Sequence, residues 1–181
     1  MYVVSENSAP AQDVTRFADL QLRPALLKII EQVGYISPSP IQARFIPAAL
    51  TGKDIIGKAQ TGTGKTCAFL LPIINQLNPR LEPPQVLILS PTRELTQQIA
   101  EETLKFAKPL GIGSVAIMGG ERFDKQIKAI QAGAQIIIGT PGRLIDLQRR
   151  GILHLGTVRY VVLDEADRML DIGFRPDIER I

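Results

Sequence analysis

Ala59-Gln60-Thr61-Gly62-Thr63-Gly64-Lys65-Thr66 follows the apolar pair Ile55-Ile56 and leads into Phe69-Leu70-Leu71 and Ile73-Ile74. Strand, glycine-rich loop, helix is the order that a phosphate-binding loop requires. Gly62 and Gly64 let the backbone curl until several N–H groups point inward, where a side chain would block an anion. A helix opening near Lys65 adds the positive end of its dipole. Lys65 can reach terminal phosphates, and the Thr66 hydroxyl can ligate Mg2+. Ala59 stands where the general pattern has glycine. No positive φ is needed there, so alanine serves.

Outward from this loop, composition sets the frame. The chain has 181 residues, 45% of them hydrophobic, enough for one globular domain with a real core. Its 21 basic and 18 acidic residues leave a net charge of +3, which permits nucleic acid as a partner without requiring it. Cys67 is the only cysteine, so no internal disulfide can form and a reducing, cytoplasmic setting is expected. It reads as a small core residue rather than a nucleophile. No apolar run approaches membrane-spanning length, and no membrane partner is expected. Residues 1–15 are polar, lack a secretion-signal pattern, and read as a flexible tail ahead of a domain over 16–181.

In chain order, Pro24 suits a first helical turn. Leu26, Ile29, Ile30 and Val33 share a face, and Gly34 stops that helix. Ser39 can cap a second helix starting at Pro40. Ile41, Phe45 and Leu50 mark its buried face, and the Gln42 amide is free to face outward. Strands are expected at Ile55–Gly57, Val86–Leu89, Val115–Met118, Ile136–Ile138 and Val158–Leu163. Helices alternate with them: one after the phosphate loop to about Leu77, then Glu94–Ala107, Phe123–Ala132 and a last one ending near Arg150. Arg149-Arg150 read as a solvated helix end, and the lone His154 as a surface or satisfied histidine.

Alternation with short connections predicts an α/β fold, a parallel sheet with helices on both faces. Each polar or glycine cluster follows a strand directly. Ligands of open α/β sheets bind at the carboxyl ends of strands, so the clusters should converge on one edge. Val161-Val162-Leu163 delivers two carboxylates there. Asp164 is placed to hold Mg2+, and Glu165 to orient a water for attack on a terminal phosphate.

Asp164-Glu165-Ala166-Asp167 spells DEAD. It joins Ala59–Thr66 (AQTGTGKT), Pro91–Leu95 (PTREL), Gly119-Gly120 and Thr140–Arg143 (TPGR), with Phe17, Gly34-Tyr35 and Pro40-Ile41-Gln42 upstream. In order and spacing, from about Phe17 to Ile181, this resembles the first, RecA-like P-loop NTPase domain of the DEAD-box family of ATP-dependent RNA helicases. The resemblance implies ATP and Mg2+ as cofactors. Lys65, Asp164 and Glu165 would be catalytic, with Thr66 and Asp164 on the metal. Phe17, Gln42, Ala59, Gln60, Thr61, Gly62, Thr63, Gly64, Lys65 and Thr66 would surround the nucleotide, with Phe17 against the adenine ring and Gln42 reading its edge. Pro91, Thr92, Arg93, Gly119, Gly120, Thr140, Gly142 and Arg143 would line an RNA path, touching backbone more than bases. For Arg93 and Arg143 a structural salt bridge stays open beside that role. Asp167 would couple the nucleotide site to interdomain contacts.

Ser90 and Thr96 stand where the family often has alanine; both are small and should alter little. The family pattern continues into a Ser-Ala-Thr segment and a second RecA-like domain, neither of them within these residues. The resemblance thus implies a partner domain that completes both sites. It also places a further strand between Ile55–Gly57 and Val158–Leu163. Two other readings stay open: a nucleotide- or RNA-binding module without turnover, and a DNA helicase of a related group. The Phe17/Gln42 arrangement and the final Asp167 argue against the second.

Overall fold

The computed structural model describes residues 2–5, 14–120 and 122–181. The single domain drawn over 16–181 divides by its contacts into two compact units, Met1–Leu77 and Asn78–Ile181.

The first unit holds a two-stranded parallel sheet, β1 (Tyr2–Ser5) beside β2 (Ile55–Lys58), registered Val3 to Ile56 and Val4 to Gly57. Three helices follow the expected bounds closely: α1 (Pro24–Val33), α2 (Pro40–Leu50) and α3 (Lys65–Gln76). β1 corrects the expectation of a loose tail over Tyr2–Ser5, while residues 6–13 lie outside the described ones. Its anchor is Val4, buried with Ile41 and Ala68, which draws the strand against α2 and α3. The buried face of α2 also differs from expectation. Ile41, Gln42 and Ile46 are buried, whereas Phe45 is only half-buried. Phe45 instead packs over Gly57, where an added Cβ would come within 2.9 Å of its ring.

The second unit is a four-stranded parallel sheet in the order β4-β5-β3-β6, from β3 (Val86–Leu89), β4 (Ser114–Ile117), β5 (Ile136–Gly139) and β6 (Tyr160–Leu163). The continuous apolar runs are the inner strands: every residue of β3 and β5 is buried. That is the mark of parallel strands covered on both faces. Helices α4 (Arg93–Ala107), α5 (Phe123–Gln131), α6 (Pro141–Arg149), α7 (Ala166–Ile172) and α8 (Arg175–Arg180) complete it. Leu87, Leu89, Ile117, Ile137, Leu144, Leu147 and Met169 form its core. Ile137→Ala there should cost about 2–5 kcal/mol. β6 is an edge strand in this sheet, with Val161 and Leu163 exposed. β2 pairs with β1 and β6 with β3, so the two strands expected to flank a further one lie in separate sheets.

Register aligns the carboxyl ends of the strands of the second unit. Leu89 pairs with both Gly139 and Leu163, and Gly139 pairs with Ile117. The four strands therefore end level. The segments that follow them, Ser90–Leu95, Met118–Gly120, Thr140–Arg143 and Asp164–Asp167, start from one edge, as expected for these four clusters, whereas the phosphate loop follows β2 of the other sheet. Gly139 is needed for this: a Cβ there would meet the Ile117 carbonyl at 2.7 Å.

Candidate functional site

In the first unit the glycine loop leaves the carboxyl end of β2 and turns directly into α3. Gly62 (φ +83°) and Gly64 (φ +91°) both take left-handed backbone, which glycine adopts without steric cost. Gly64 is the N-cap of α3 and Lys65 its first residue. The Thr63 hydroxyl donates to the Gln60 carbonyl at 2.7 Å, closing the loop. The Lys65 ammonium makes no ion pair or hydrogen bond among the described residues. Left-handed glycines, an opening twelve-residue helix and an unpaired ammonium are a donor set that fits a polyphosphate.

Gln42 is not turned outward. It is 2% exposed; its Oε1 accepts from the Ser39 N–H at 3.0 Å, and its Nε2 donates to the Gly64 carbonyl at 3.1 Å. The amide joins the start of α2 to the phosphate loop, and a Cβ on Gly64 would collide with it. A buried carboxamide seeks partners at both ends, and the loop carbonyl was within reach. Phe17 is buried in a 3-10 turn, Phe17–Leu20, edge-on to Tyr35 with ring centroids 6.2 Å apart. Cys67 is buried as expected, its thiol 3.5 Å from the Tyr35 hydroxyl.

In the second unit, Thr92 caps α4, its hydroxyl accepting from the Leu95 N–H at 3.2 Å. Arg93 is exposed and has no ion pair among the described residues. Its guanidinium lies on the glycine pair: a Cβ on Gly119 would come within 3.0 Å of Nη2, and one on Gly120 (φ +82°) within 2.6 Å of Nη1. The pair is therefore a seat for Arg93 as well as open backbone. Gly142 faces empty space, so the protein's own packing does not require glycine there.

Arg143 takes the structural role left open for it. Its Nε donates to Gln126 Oε1 at 3.4 Å, its Nη1 lies 3.4 Å from Asp146 Oδ2, and its guanidinium stacks 4.4 Å from the Phe123 ring centre. Arg149 and Arg150 form the exposed helix end expected of them, and Arg150 there also bonds Asp146 Oδ1 at 2.8 Å and lies 5.0 Å from the same ring. The hydrogen bond from Arg150, with the nearby charges of Arg150, Arg143 and Arg149, holds the Asp146 carboxyl below its ordinary value despite partial desolvation.

Ser90 and Thr96 do more than fill space. Both are fully buried, their hydroxyls 2.6 Å apart, and Thr96 also donates to the Thr92 carbonyl at 2.8 Å. They tie the end of β3 to the start of α4.

After β6, Asp164 Oδ1 accepts from the Glu165 N–H at 3.1 Å. Glu165 takes φ +50°, strained for a residue with a side chain, and its Oε2 accepts from Arg168 Nη1 at 3.1 Å. Asp167 is exposed, its Oδ1 bound to the Arg168 N–H at 2.9 Å. Gln126, Phe123, Asp146 and Arg168 were missed in the sequence. An i,i+3 spacing from Glu165 was the one signal for Arg168. His154 is exposed, and no cluster of potential metal ligands occurs among the described residues.

A parallel α/β fold whose glycine loop enters a helix defines a phosphate-loop protein. The model of the DEAD/DEAH box helicase family matches residues 39–181. The chain is 50% identical over 172 residues to "ATP-dependent RNA helicase DeaD" of Klebsiella pneumoniae, covering 94% of this chain and 27% of that protein. Among solved structures it is similar to a DEAD box protein from the hyperthermophile Methanococcus jannaschii, with TM-score 0.86, 39% identity, and coverage of 92% of this chain and 46% of that one. The RNA helicase Prp28 from Chaetomium thermophilum, bound to ADP, matches with TM-score 0.85, 47% identity, and coverage of 92% and 42%. This chain belongs to the DEAD/DEAH box helicase family, and it spans about a quarter of the length of the curated relative it matches.

Proposed function

We propose that this chain is the nucleotide-binding domain of an ATP-dependent RNA helicase that separates short duplexes locally, together with a second RecA-like domain, inside the cell. Lys65 carries the reading: an ammonium in the first turn of α3, behind two left-handed glycines, with no protein partner among the described residues. ATP, when bound, supplies the transferable phosphoryl group. Ala59–Gly64 wrap the phosphates with backbone N–H groups, and Lys65 neutralises their charge. Thr66 and Asp164 offer the hard oxygens that suit Mg2+. Glu165 orients a water and accepts its proton. Gln42 reads the adenine edge, for which its Nε2 exchanges the Gly64 carbonyl for the base, and Phe17 packs beside it. Asp167 passes the state of the site to the second domain.

Pro91, Thr92, Arg93, Gly119, Gly120, Thr140, Gly142 and Arg143 form the RNA face, which reads backbone with little sequence preference. Arg93 is its contact arginine and Arg143 its frame. The level strand ends and the unpaired Arg93 support this. In the full-length protein, Glu165→Gln should keep ATP bound and nearly abolish turnover, and Lys65→Ala should weaken ATP binding itself. Turnover by Glu165→Gln within about threefold of wild type would remove Glu165 from the catalytic role. Unchanged ATP affinity in Lys65→Ala would remove the loop assignment. RNA-stimulated against DNA-stimulated ATPase separates this reading from a DNA helicase.

A further inference from the structure

Gln126 belongs to none of the motif segments, yet its side chain touches two of them. It lies in the first turns of α5 and is 3% exposed, so both ends of its carboxamide must find partners inside the protein. Its Nε2 donates to the Met118 carbonyl at 2.9 Å, one residue ahead of the glycine pair. Its Oε1 accepts from Arg143 Nε at 3.4 Å. Only a carboxamide donates at one end and accepts at the other with this reach. The Met118 end matters most. Gly119-Gly120 is the most permissive backbone a chain can build, and it is the seat on which Arg93 rests. A seat made of two glycines holds its place only if something beside it is fixed.

We infer that Gln126 is the positioning residue of the RNA face. Its carboxamide locks the Gly119-Gly120 turn to the Thr140–Arg143 turn and thereby sets where Arg93 presents its guanidinium. This rests on the reading of that face as an RNA surface. Gln126 touches no RNA itself; it acts through Met118 and Arg143.

The test is a double-mutant cycle on the full-length protein, read by binding of a fluorescein-labelled single-stranded oligouridylate and of a labelled ATP analogue. Gln126→Met should weaken RNA binding about tenfold, the loss expected when a charged contact is mis-set. ATP-analogue affinity should stay within about twofold, since no residue of the phosphate loop is touched. Arg93→Gln should weaken RNA binding at least as much. With Arg93 already gone, Gln126→Met should add less than about threefold, because positioning has nothing left to position. A merely structural Gln126 gives additive losses instead. Gln126→Glu keeps an acceptor for Arg143 but sets a carboxylate against the Met118 carbonyl, and should fail as Gln126→Met does. It carries the cycle if Gln126→Met does not fold. Wild-type binding from Gln126→Glu, additive losses, or unchanged binding by Gln126→Met while Arg93→Gln is weak would each overturn the inference and leave the RNA reading standing. No loss from Arg93→Gln would overturn both.

Discussion

Two turns of the second unit carry an arginine one and three residues behind a threonine, Arg93 after Thr92 and Arg143 after Thr140, and they use it in opposite ways. Arg93 opens α4 and ends in the open, resting on backbone with no side-chain partner among the described residues. Arg143, in the first turn of α6, ends among Gln126, Asp146 and the Phe123 ring, its side chain 20% exposed. A guanidinium has five donors in a fixed fork. Where protein acceptors take them the residue frames a surface, and where they stay free it is a surface contact. Motif membership alone does not separate the two; the acceptors around each arginine do.

The sharpest way to break this contrast lies at the glycine seat. Arg93→Gln should weaken single-stranded RNA binding about 10- to 100-fold, the worth of a charged hydrogen bond or two, with the melting temperature unchanged. Gly120→Ala should reproduce that loss, because its Cβ would displace the Arg93 guanidinium. RNA binding by Gly120→Ala equal to wild type would show that the pair does not seat Arg93. Arg143→Ala should behave the other way round. It strands the buried Gln126 Oε1 and removes the stack on Phe123, so it should cost about 1–3 kcal/mol in urea unfolding. A variant as stable as wild type would make Arg143 a free contact like Arg93.

A smaller effect separates the Ser90–Thr96 pair from simple filling of space. Thr96→Ala leaves a buried Ser90 hydroxyl with its partner removed and should cost about 1–2 kcal/mol, whereas Ser90→Ala with Thr96→Ala should cost less than Thr96→Ala alone. Additive losses would end that account. The smallest effect is one of pH. The Asp146 carboxyl is held low by Arg150, so its stabilising contribution is present above the unfolded pKa and fades as pH falls through the lower folded one. The stability difference between wild type and Asp146→Asn should be constant near neutrality and shrink below the ordinary carboxylate value of 3.8. A difference that grows on acidification would contradict the assignment.

The fold was legible wherever burial is written as composition. The runs at Val86–Leu89 and Ile136–Ile138 could only be covered strands, and the clusters behind the strands of the second unit share an edge because parallel strands end together. β1 was not legible. Four residues near a terminus carry no turn or period signal, and the strand depends on Val4 finding Ile41 and Ala68. Gln42 was misjudged because a first-turn amide looks solvent-facing until a carbonyl from 22 residues away reaches it. Gln126 is one of five polar residues on α5, and nothing in the pattern sets it apart from Asp124, Lys125, Lys128 or Gln131. Its importance lies wholly in two partners, 8 and 17 residues distant, that no pattern announces.

Glu165 stands at φ +50°, where glycine or asparagine would sit with less strain. A chain shaped by folding alone would shed the glutamate, and each replacement of that kind should raise the melting temperature while, on the catalytic role proposed for Glu165, ending turnover. The position is thus a small standing conflict between durability and chemistry. Selection for heat resistance applied to this domain without selection for activity should find it early. A stabilised descendant that has lost Glu165 would still look, by fold and by the rest of its motifs, like a working member of the family.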